Sequence, residues 1–134
     1  MHVAVQKTGP GVYDRDMQDL APDIVRQRLL IEGYLTIDVD EAMINRYFDN
    51  LTLALDLQTY GTPTIFAPAG LGRDANQGFD AFVPLIDSGI SLYVWSQPRF
   101  LSVVAFTCKR FDTERAVEFT RDFFAMSQVA SQQF

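Results

Sequence analysis

The sequence contains very few of the residues on which metal centres and disulfide frameworks depend. Among its 134 residues there is one cysteine, Cys108, and one histidine, His2. One cysteine cannot form an intramolecular disulfide, so the sequence gives no argument for secretion. One histidine provides neither a cluster of metal ligands nor the base of a Ser-His-Asp triad. We therefore expect no metal site and no hydrolase of that kind.

Long apolar runs and excess positive charge are also missing. No apolar stretch approaches the roughly 18 residues of a membrane-spanning helix, so a cytoplasmic location is the expectation. Lys and Arg together number 11 against 17 Asp and Glu, a formal net charge of −6. Because nucleic acid binding requires a basic face, this balance argues against a nucleic acid partner. The acidic surface suits either a cationic ligand or solubility alone.

The residues that are present suffice for one folded domain. Apolar residues make up 48% of the chain and charged residues 21%, an ordinary globular composition. At this length a single chain can bury a core without covalent cross-links. The structure-breaking cluster Gly9-Pro10-Gly11 lies near the N-terminus. We predict an N-terminal arm over residues 1–27 and one domain over residues 28–134.

Apolar periodicity divides the domain into strands and two helices. Alternation over residues 28–38 predicts a strand, and helical spacing over 38–57 predicts a helix that Asp38 or Asp40 caps. Four further segments predict strands: 62–70, 79–87, 90–96 and 100–108. Proline cannot donate to a strand ladder, so Pro84 predicts that its strand is an edge strand or carries a bulge.

The last helical segment completes the predicted fold. Asp112 caps the sequence DTERAVEFTRDFFAM, and its inward stripe is assigned to Ala116, Phe119, Phe123 and Met126. The element order is strand, helix, strands, helix, which groups the helices on one face of the sheet. The predicted fold class is α+β, a two-layer sandwich with a mostly antiparallel sheet and the helices packed on one face.

The stretch IDSGISLYVWS, residues 86–96, joins two predicted strands through a very tight turn at Ser88. Asp-Ser-Gly is a common turn tripeptide, because Asp and Ser form local hydrogen bonds and Gly accepts a positive φ. A serine at a strained strand junction can also attack its own backbone. Ser88 begins one strand and Cys108 ends the next, so antiparallel pairing places them at the same end of the sheet. Asp80 lies toward the other end unless Pro84 shifts the register.

This arrangement resembles the prokaryotic S-adenosylmethionine decarboxylases, small pyruvoyl enzymes of polyamine synthesis. In that family a Glu-Ser-His turn follows a Gly-Val-Ser-Gly strand and leads into Ile-His-Thr-Trp, with Phe-Thr-Cys downstream. The corresponding stretches here read GFDAFVPLIDSG, LYVW and FTC, and they align without gaps. Ser88 and Cys108 are separated by the family spacing, and Trp95 also falls in place.

The resemblance implies that Ser88 is the precursor of a pyruvoyl cofactor, with cleavage between Asp87 and Ser88. In the family the serine hydroxyl attacks the preceding carbonyl, and the resulting ester eliminates to leave a pyruvoyl group on the new chain end. That group forms a Schiff base with the substrate amine and accepts the electrons released with carbon dioxide. By the same resemblance, Cys108 returns a proton to the substrate carbon as general acid.

Four positions near this turn differ from the family pattern. Tyr93 replaces the histidine that removes a proton from the serine α-carbon, and a phenol is a poor base at neutral pH. Gly89 replaces the histidine after the serine, and Asp87 replaces a glutamate. Asp80 stands where the family has a serine that assists processing, and its carboxylate could accept a proton.

The candidate substrate-binding residues are Trp95 and Gln97. The family sequence Trp-Pro-Glu reads Trp95-Ser96-Gln97 here, so the carboxylate that holds the substrate ribose hydroxyls is replaced by an amide. Trp95, Phe100 and Phe106 are either core or interface residues or the lining of a site for a sulfonium ion.

The sequence thus predicts an S-adenosylmethionine decarboxylase-like protein related to polyamine (spermidine) biosynthesis that does not process itself. It would act as a ligand-binding or regulatory homologue. One alternative is an active pyruvoyl-dependent decarboxylase of S-adenosylmethionine or an amino acid, with Asp80 or Tyr93 replacing the lost base. The other is a non-catalytic dimeric interaction module. We expect a homodimer and a small amine-bearing or adenosyl ligand, with no nucleic acid partner and no membrane attachment. No cofactor is expected unless Ser88 becomes a pyruvoyl group.

Overall fold

The computed structural model describes residues 17–67, 70–74 and 77–134. Most of the expected N-terminal arm, residues 1–16, lies outside the described residues. Within those ranges the chain forms strands and helices in the order β1 (Gln27–Tyr34), α1 (Glu41–Ala54), β2 (Thr64–Phe66), β3 (Gly78–Leu85), β4 (Ser88–Trp95), β5 (Phe100–Thr107), α2 (Thr113–Phe123) and β6 (Gln128–Gln133).

The strands form one antiparallel sheet in the order β2-β3-β4-β5-β1-β6. Alternate strand residues point to opposite faces of a sheet, and one face here is packed against both helices. The core between the two layers is formed by large, fully buried side chains, among them Ile31, Ile44, Tyr47, Phe48, Ile90, Leu92, Leu101 and Phe124. The predicted α+β class, with two layers and the helices on one face, is confirmed.

Each helix begins at an aspartate that satisfies a free backbone N–H group. The Asp40 carboxylate accepts a hydrogen bond from the Met43 N–H at 2.9 Å, and Asp112 caps α2 in the same way. Of the two expected caps for α1, Asp40 is the one that forms. Asp38 is instead paired with the Arg99 guanidinium at 2.8 Å.

A buried hydrogen bond joins the two helices. Tyr47 Oη lies 2.7 Å from Thr120 Oγ1, and both side chains are fully buried. Thr120 donates its own hydroxyl proton to the Ala116 carbonyl, so the Tyr47 hydroxyl is the donor of the pair. Burial raises the pKa of Tyr47 above its usual range.

The inward stripe of α2 differs from the predicted one. Ala116 is buried as expected, but Phe119 and Phe123 are only partly buried, and the residues sealed in the core are Thr120 and Phe124. The cause is the hydrogen bond to Tyr47, which turns Thr120 toward α1. Because α2 ends at Phe123, Met126 lies beyond the helix, but its side chain is buried in the core as expected.

The expectation that Pro84 marks an edge strand or a bulge is wrong. β3 lies between β2 and β4, and it pairs with β4 residue for residue as far as Leu85 opposite Ser88. β2 pairs only with residues 80–82 of β3. Pro84 lies beyond the residues that pair with β2, so its lack of an N–H group removes no hydrogen bond between β2 and β3. The Pro84 carbonyl accepts a hydrogen bond from the Tyr60 N–H.

The final strand, β6, was not predicted from the sequence, because QVASQQ has neither an apolar run nor a clear alternation. It pairs with β1 over residues 29–34. Gly33 permits this pairing: a Cβ atom there would lie 1.9 Å from the Gln128 carbonyl oxygen. The strand therefore depends on a partner with no side chain at one position, which local periodicity does not reveal.

The sheet face opposite the helices, here called the outer face, is rich in exposed aromatic residues. Tyr34, Phe66, Phe82, Tyr93 and Phe106 each expose more than a third of their surface. They belong to strand positions that alternate with the buried core residues. Large exposed apolar patches on soluble proteins are often interaction surfaces.

Candidate functional site

The tight turn at residues 86–87 places Ser88 in an unfavourable backbone conformation. Leu85 and Ser88 are Cα partners, so Ile86 and Asp87 form a two-residue hairpin loop between β3 and β4. Ser88 has a φ of 136°. A non-glycine residue held in such a region costs on the order of 1–3 kcal/mol and clusters at functional sites.

Cys108 faces Ser88 across the neighbouring strand. Ser88 pairs with Thr107, the last residue of β5, and Cys108 follows directly. Ser88 Oγ lies 3.4 Å from Cys108 Sγ, and the cysteine is exposed. The two groups that the sequence placed at one end of the sheet are therefore in contact.

The backbone of Cys108 holds the carbonyl group before Ser88. The Cys108 N–H donates a hydrogen bond to the Asp87 oxygen at 2.8 Å. That carbonyl is the one a Ser88 hydroxyl would attack in an N-to-O acyl shift. A fixed N–H donor at this oxygen can stabilise the negative charge that develops during such an attack. The site therefore contains a nucleophile, an activated carbonyl and a thiol.

Asp80 and Tyr93 lie together, but not with Ser88. They are Cα partners on β3 and β4, and the unshifted register puts each of them five residues from the hairpin. At the rise of a β-strand this is about 16 Å along the sheet. Both residues border a depression of about 340 Å³ on the outer face, with Phe66 and Phe82 beside them.

Trp95 and Gln97 lie at the opposite end of the sheet from Ser88. Trp95 is the last residue of β4, about 23 Å along the strand from Ser88, and its ring packs 5.5 Å from that of Phe100. Gln97 is exposed in the turn between β4 and β5. Within one chain the structure does not bring these two residues to the Ser88 hairpin.

Sequence reasoning missed a carboxylate on the outer face. Ser102 donates a hydrogen bond to Glu32 at 2.6 Å, and both lie in the same cross-strand row as Asp80 and Tyr93. The available signal was the strand alternation of β1, which assigns Glu32 to the face opposite Leu29 and Ile31. The outer face therefore carries two carboxylates, those of Glu32 and Asp80, among its exposed aromatic rings.

Two other cavities formed by the described residues are not lined by Ser88. A groove of about 490 Å³ between α2 and β6 lies on the helix side and is lined by none of the predicted site residues. Within residues 17–67, 70–74 and 77–134 no group of His, Cys, Asp and Glu side chains is arranged to hold a metal ion. In the same ranges no helix is long and apolar enough to cross a membrane.

Comparisons with known proteins agree with this geometry. The crystal structure of the adenosylmethionine decarboxylase from Aquifex aeolicus VF5 is similar to this chain, with a TM-score of 0.65 at 17% sequence identity. The match covers 83% of this chain and 89% of that chain, and at this identity it shows the fold alone. No curated protein sequence matches the chain. A family model described as S-adenosylmethionine decarboxylase matches residues 27–134. Because that match covers most of the sequence, the chain belongs to the S-adenosylmethionine decarboxylase family.

Proposed function

We propose that this chain is a diverged S-adenosylmethionine decarboxylase-like protein of polyamine (spermidine) metabolism that stays intact and binds a small amine-bearing or adenosyl ligand beside Ser88 and Cys108. In this role it acts alone or as the regulatory subunit of a partner enzyme. One observation carries the proposal. The Ser88 hydroxyl is in contact with the Cys108 thiol, while the side chain at the position of the family's base is the phenol of Tyr93, a poor proton acceptor at neutral pH.

The lack of a nearby base supports an intact chain. Attack by a serine hydroxyl requires a group that removes its proton, within hydrogen-bond reach or through one water. Among the described residues, Cys108 is the side chain within hydrogen-bond distance of Ser88 Oγ. A cysteine sulfur is a weak hydrogen-bond acceptor. Within one chain the Ser88 hydroxyl is therefore in position without an efficient base, and a second copy would offer only the phenol of Tyr93 from the family's base position.

The alternative is an active pyruvoyl-dependent decarboxylase, and a separate observation favours it. The Asp87 carbonyl already accepts the Cys108 N–H, and the strained Ser88 backbone would relax when the Asp87–Ser88 peptide bond breaks. Ser88 and Cys108 therefore fit the formation of a pyruvoyl group at residue 88. Once formed, that group would supply the electron sink for decarboxylation.

We also propose that two copies pack through the outer face. Its aromatic residues are exposed, and Arg28 lies on the same face. The face also carries the carboxylates of Glu32 and Asp80. A second copy would cover the aromatic rings and offer these acids to the arginine, which is the self-complementarity that a two-fold interface needs.

The intact mass of the purified full-length chain tests the lead proposal. We expect one species of 134 residues, the same in the wild type and in Ser88→Ala. Fragments comprising residues 1–87 and 88–134 in the wild type, absent from Ser88→Ala, would overturn it in favour of the active enzyme. Sensitivity of the smaller fragment to hydroxylamine would identify the new carbonyl.

Thermal denaturation with S-adenosylmethionine and with spermidine tests ligand binding. Saturation at about 100 times the Kd adds about 2.7 kcal/mol to the free energy of unfolding, so Tm should rise by several degrees. The rise should shrink in Cys108→Ala and persist in Ser127→Ala, a substitution near β6. No rise with any amine or adenosyl compound would favour a non-catalytic interaction module.

A further inference from the structure

A side chain at Gly89, the residue after Ser88, would collide with the Phe82 ring where that ring lies in the structure. A Cβ atom there would lie 2.5 Å from both Cε1 and Cζ of Phe82, and 3.3 Å from the Val83 carbonyl oxygen. The φ of Gly89 is outside the left-handed region, so the backbone itself would accept another residue. The requirement for glycine therefore comes from the Phe82 ring.

Phe82 reaches Gly89 diagonally across two paired strands. Its direct partner on β4 is Ser91, whereas Gly89 pairs with Pro84. Large rings span such diagonal positions on one face of a sheet. The tip of the Phe82 ring rests on Gly89, and the remainder, with the side chain 44% exposed, borders the depression that contains Asp80 and Tyr93.

The strained backbone of Ser88 needs support on both sides. On one side the Cys108 N–H holds the Asp87 carbonyl. On the other side Gly89 is paired with Pro84 on β3 and with Phe106 on β5, and the Phe82 ring packs over it. Strained conformations persist only where their surroundings over-determine them, and here the Phe82 ring adds a packing contact to the strand pairing of Gly89.

We propose that Phe82 is a positioning residue of the Ser88 site, a conclusion that rests on the proposed role of the Ser88–Cys108 pair. Its ring fills the volume that a side chain at residue 89 would occupy, and it fixes the Gly89 backbone. This restraint keeps the Ser88 hydroxyl against the Cys108 thiol. Phe82 acts through Ser88 and does not itself contact the thiol.

The rate of alkylation of Cys108 by iodoacetamide provides a test in the full chain, because Cys108 is its only thiol. Ser88→Ala should change this rate about two- to ten-fold, the effect of losing one ordinary hydrogen bond. Phe82→Val should change it in the same direction. In the Ser88→Ala background Phe82→Val should then have no further effect. Phe66→Val, also on the outer face but on β2, should leave the rate unchanged.

Each other outcome of the alkylation test has a definite meaning. If Ser88→Ala changes the rate and Phe82→Val does not, Phe82 has no positioning role and the proposed function stands. If Phe82→Val acts equally with and without the serine hydroxyl, the ring shields the thiol directly and the proposal is overturned. If Ser88→Ala has no effect, the Ser88–Cys108 contact is unimportant, and both this proposal and the proposed function fail.

A second measurement tests whether the Phe82 ring is what excludes a side chain at residue 89. Gly89→Ala should lower Tm in the wild type, and the loss should be at most half as large in the Phe82→Val background. The same substitution in the Phe66→Val background should cost as much as in the wild type. An equal loss in all three backgrounds would show that Phe82 does not set the requirement for glycine, which would overturn the proposal.

Discussion

The backbone N–H of Cys108 donates a hydrogen bond to the carbonyl oxygen of Asp87 at 2.8 Å. This bond ties the β3–β4 hairpin to the end of β5, and it does so at the one peptide group whose nitrogen belongs to the strained Ser88. The same contact therefore stabilises the turn and polarises the carbonyl that the Ser88 hydroxyl would attack. One hydrogen bond thus holds the hairpin in place and also prepares the Asp87 carbonyl for attack.

The strain at Ser88 predicts that Ser88→Gly stabilises the protein. Glycine adopts a φ of 136° without a Cβ clash, and this relief exceeds the extra entropy of the unfolded chain. We expect the free energy of unfolding to rise by about 1 kcal/mol in urea denaturation. Ser91→Gly, in regular strand β4, should instead lower it by about 0.5–1 kcal/mol. A loss of stability in Ser88→Gly would contradict the strain.

The fold was predictable because its signals are local. The alternation of β1, the helical spacing around Tyr47 and Phe48, and the aspartates before each helix are readable over short windows. Strand β6 and the buried face of α2 were not readable, because Gly33 and the Tyr47–Thr120 hydrogen bond determine them across the fold. The contact of Ser88 with Cys108 followed from register, since an antiparallel pair without a bulge fixes which strand ends meet.

The rest of the site could not be derived from spacing. Nothing in the sequence gives the φ of Ser88, because that angle results from closing a two-residue loop between strands whose register is already fixed. The Phe82–Gly89 contact is diagonal across two strands. Such a contact does not change the alternation of apolar and polar residues in either strand, so the sequence pattern does not reveal it. These are packing relations between strands, and one chain's pattern of apolar residues does not encode them.

The buried phenol of Tyr47 predicts a loss of stability in alkaline solution. Its pKa is raised by burial, whereas an unfolded tyrosine ionises near pH 10, so the folded state holds the proton more tightly. Stability then falls as pH rises through about 10, by up to about 1.4 kcal/mol per pH unit. Urea denaturation from about pH 8 to 11 should show this loss. Tyr47→Phe should abolish it, at the cost of about 1 kcal/mol at neutral pH.

The exposed Tyr60 gives the control for that measurement. Tyr60→Phe removes a phenol that is 69% exposed, so the alkaline loss should remain. If Tyr47→Phe and Tyr60→Phe lose stability equally above pH 10, the dependence arises from groups other than the buried phenol.

The outer face predicts a dimer that a single charge disrupts. Phe106→Lys places an ammonium group in the proposed interface, where burying an unpaired charge is strongly unfavourable. Sedimentation should show a dimer for the wild type and a dissociation constant at least about tenfold higher for the variant. Leu53→Lys is the matched control, because Leu53 is 79% exposed on α1 in the other layer. A dimer that Leu53→Lys weakens and Phe106→Lys does not would place the interface on the helices.

A Tyr93→His variant, which restores a base at residue 93, tests the proposed dimer and the cleavage chemistry together. Tyr93 is about 16 Å from Ser88 within one chain, so an imidazole there is out of reach of its own Ser88 and would have to act on the Ser88 of a second copy in the proposed dimer. In Tyr93→His we expect partial cleavage between Asp87 and Ser88, visible on a denaturing gel. The rate should rise with pH through about 6.5, because only the neutral imidazole accepts a proton. Adding Phe106→Lys should suppress the cleavage by separating the copies, and adding Ser88→Ala should abolish it. Cleavage at an unchanged rate in the monomeric variant would contradict a site shared between two chains, since the base would then have to act within its own sheet.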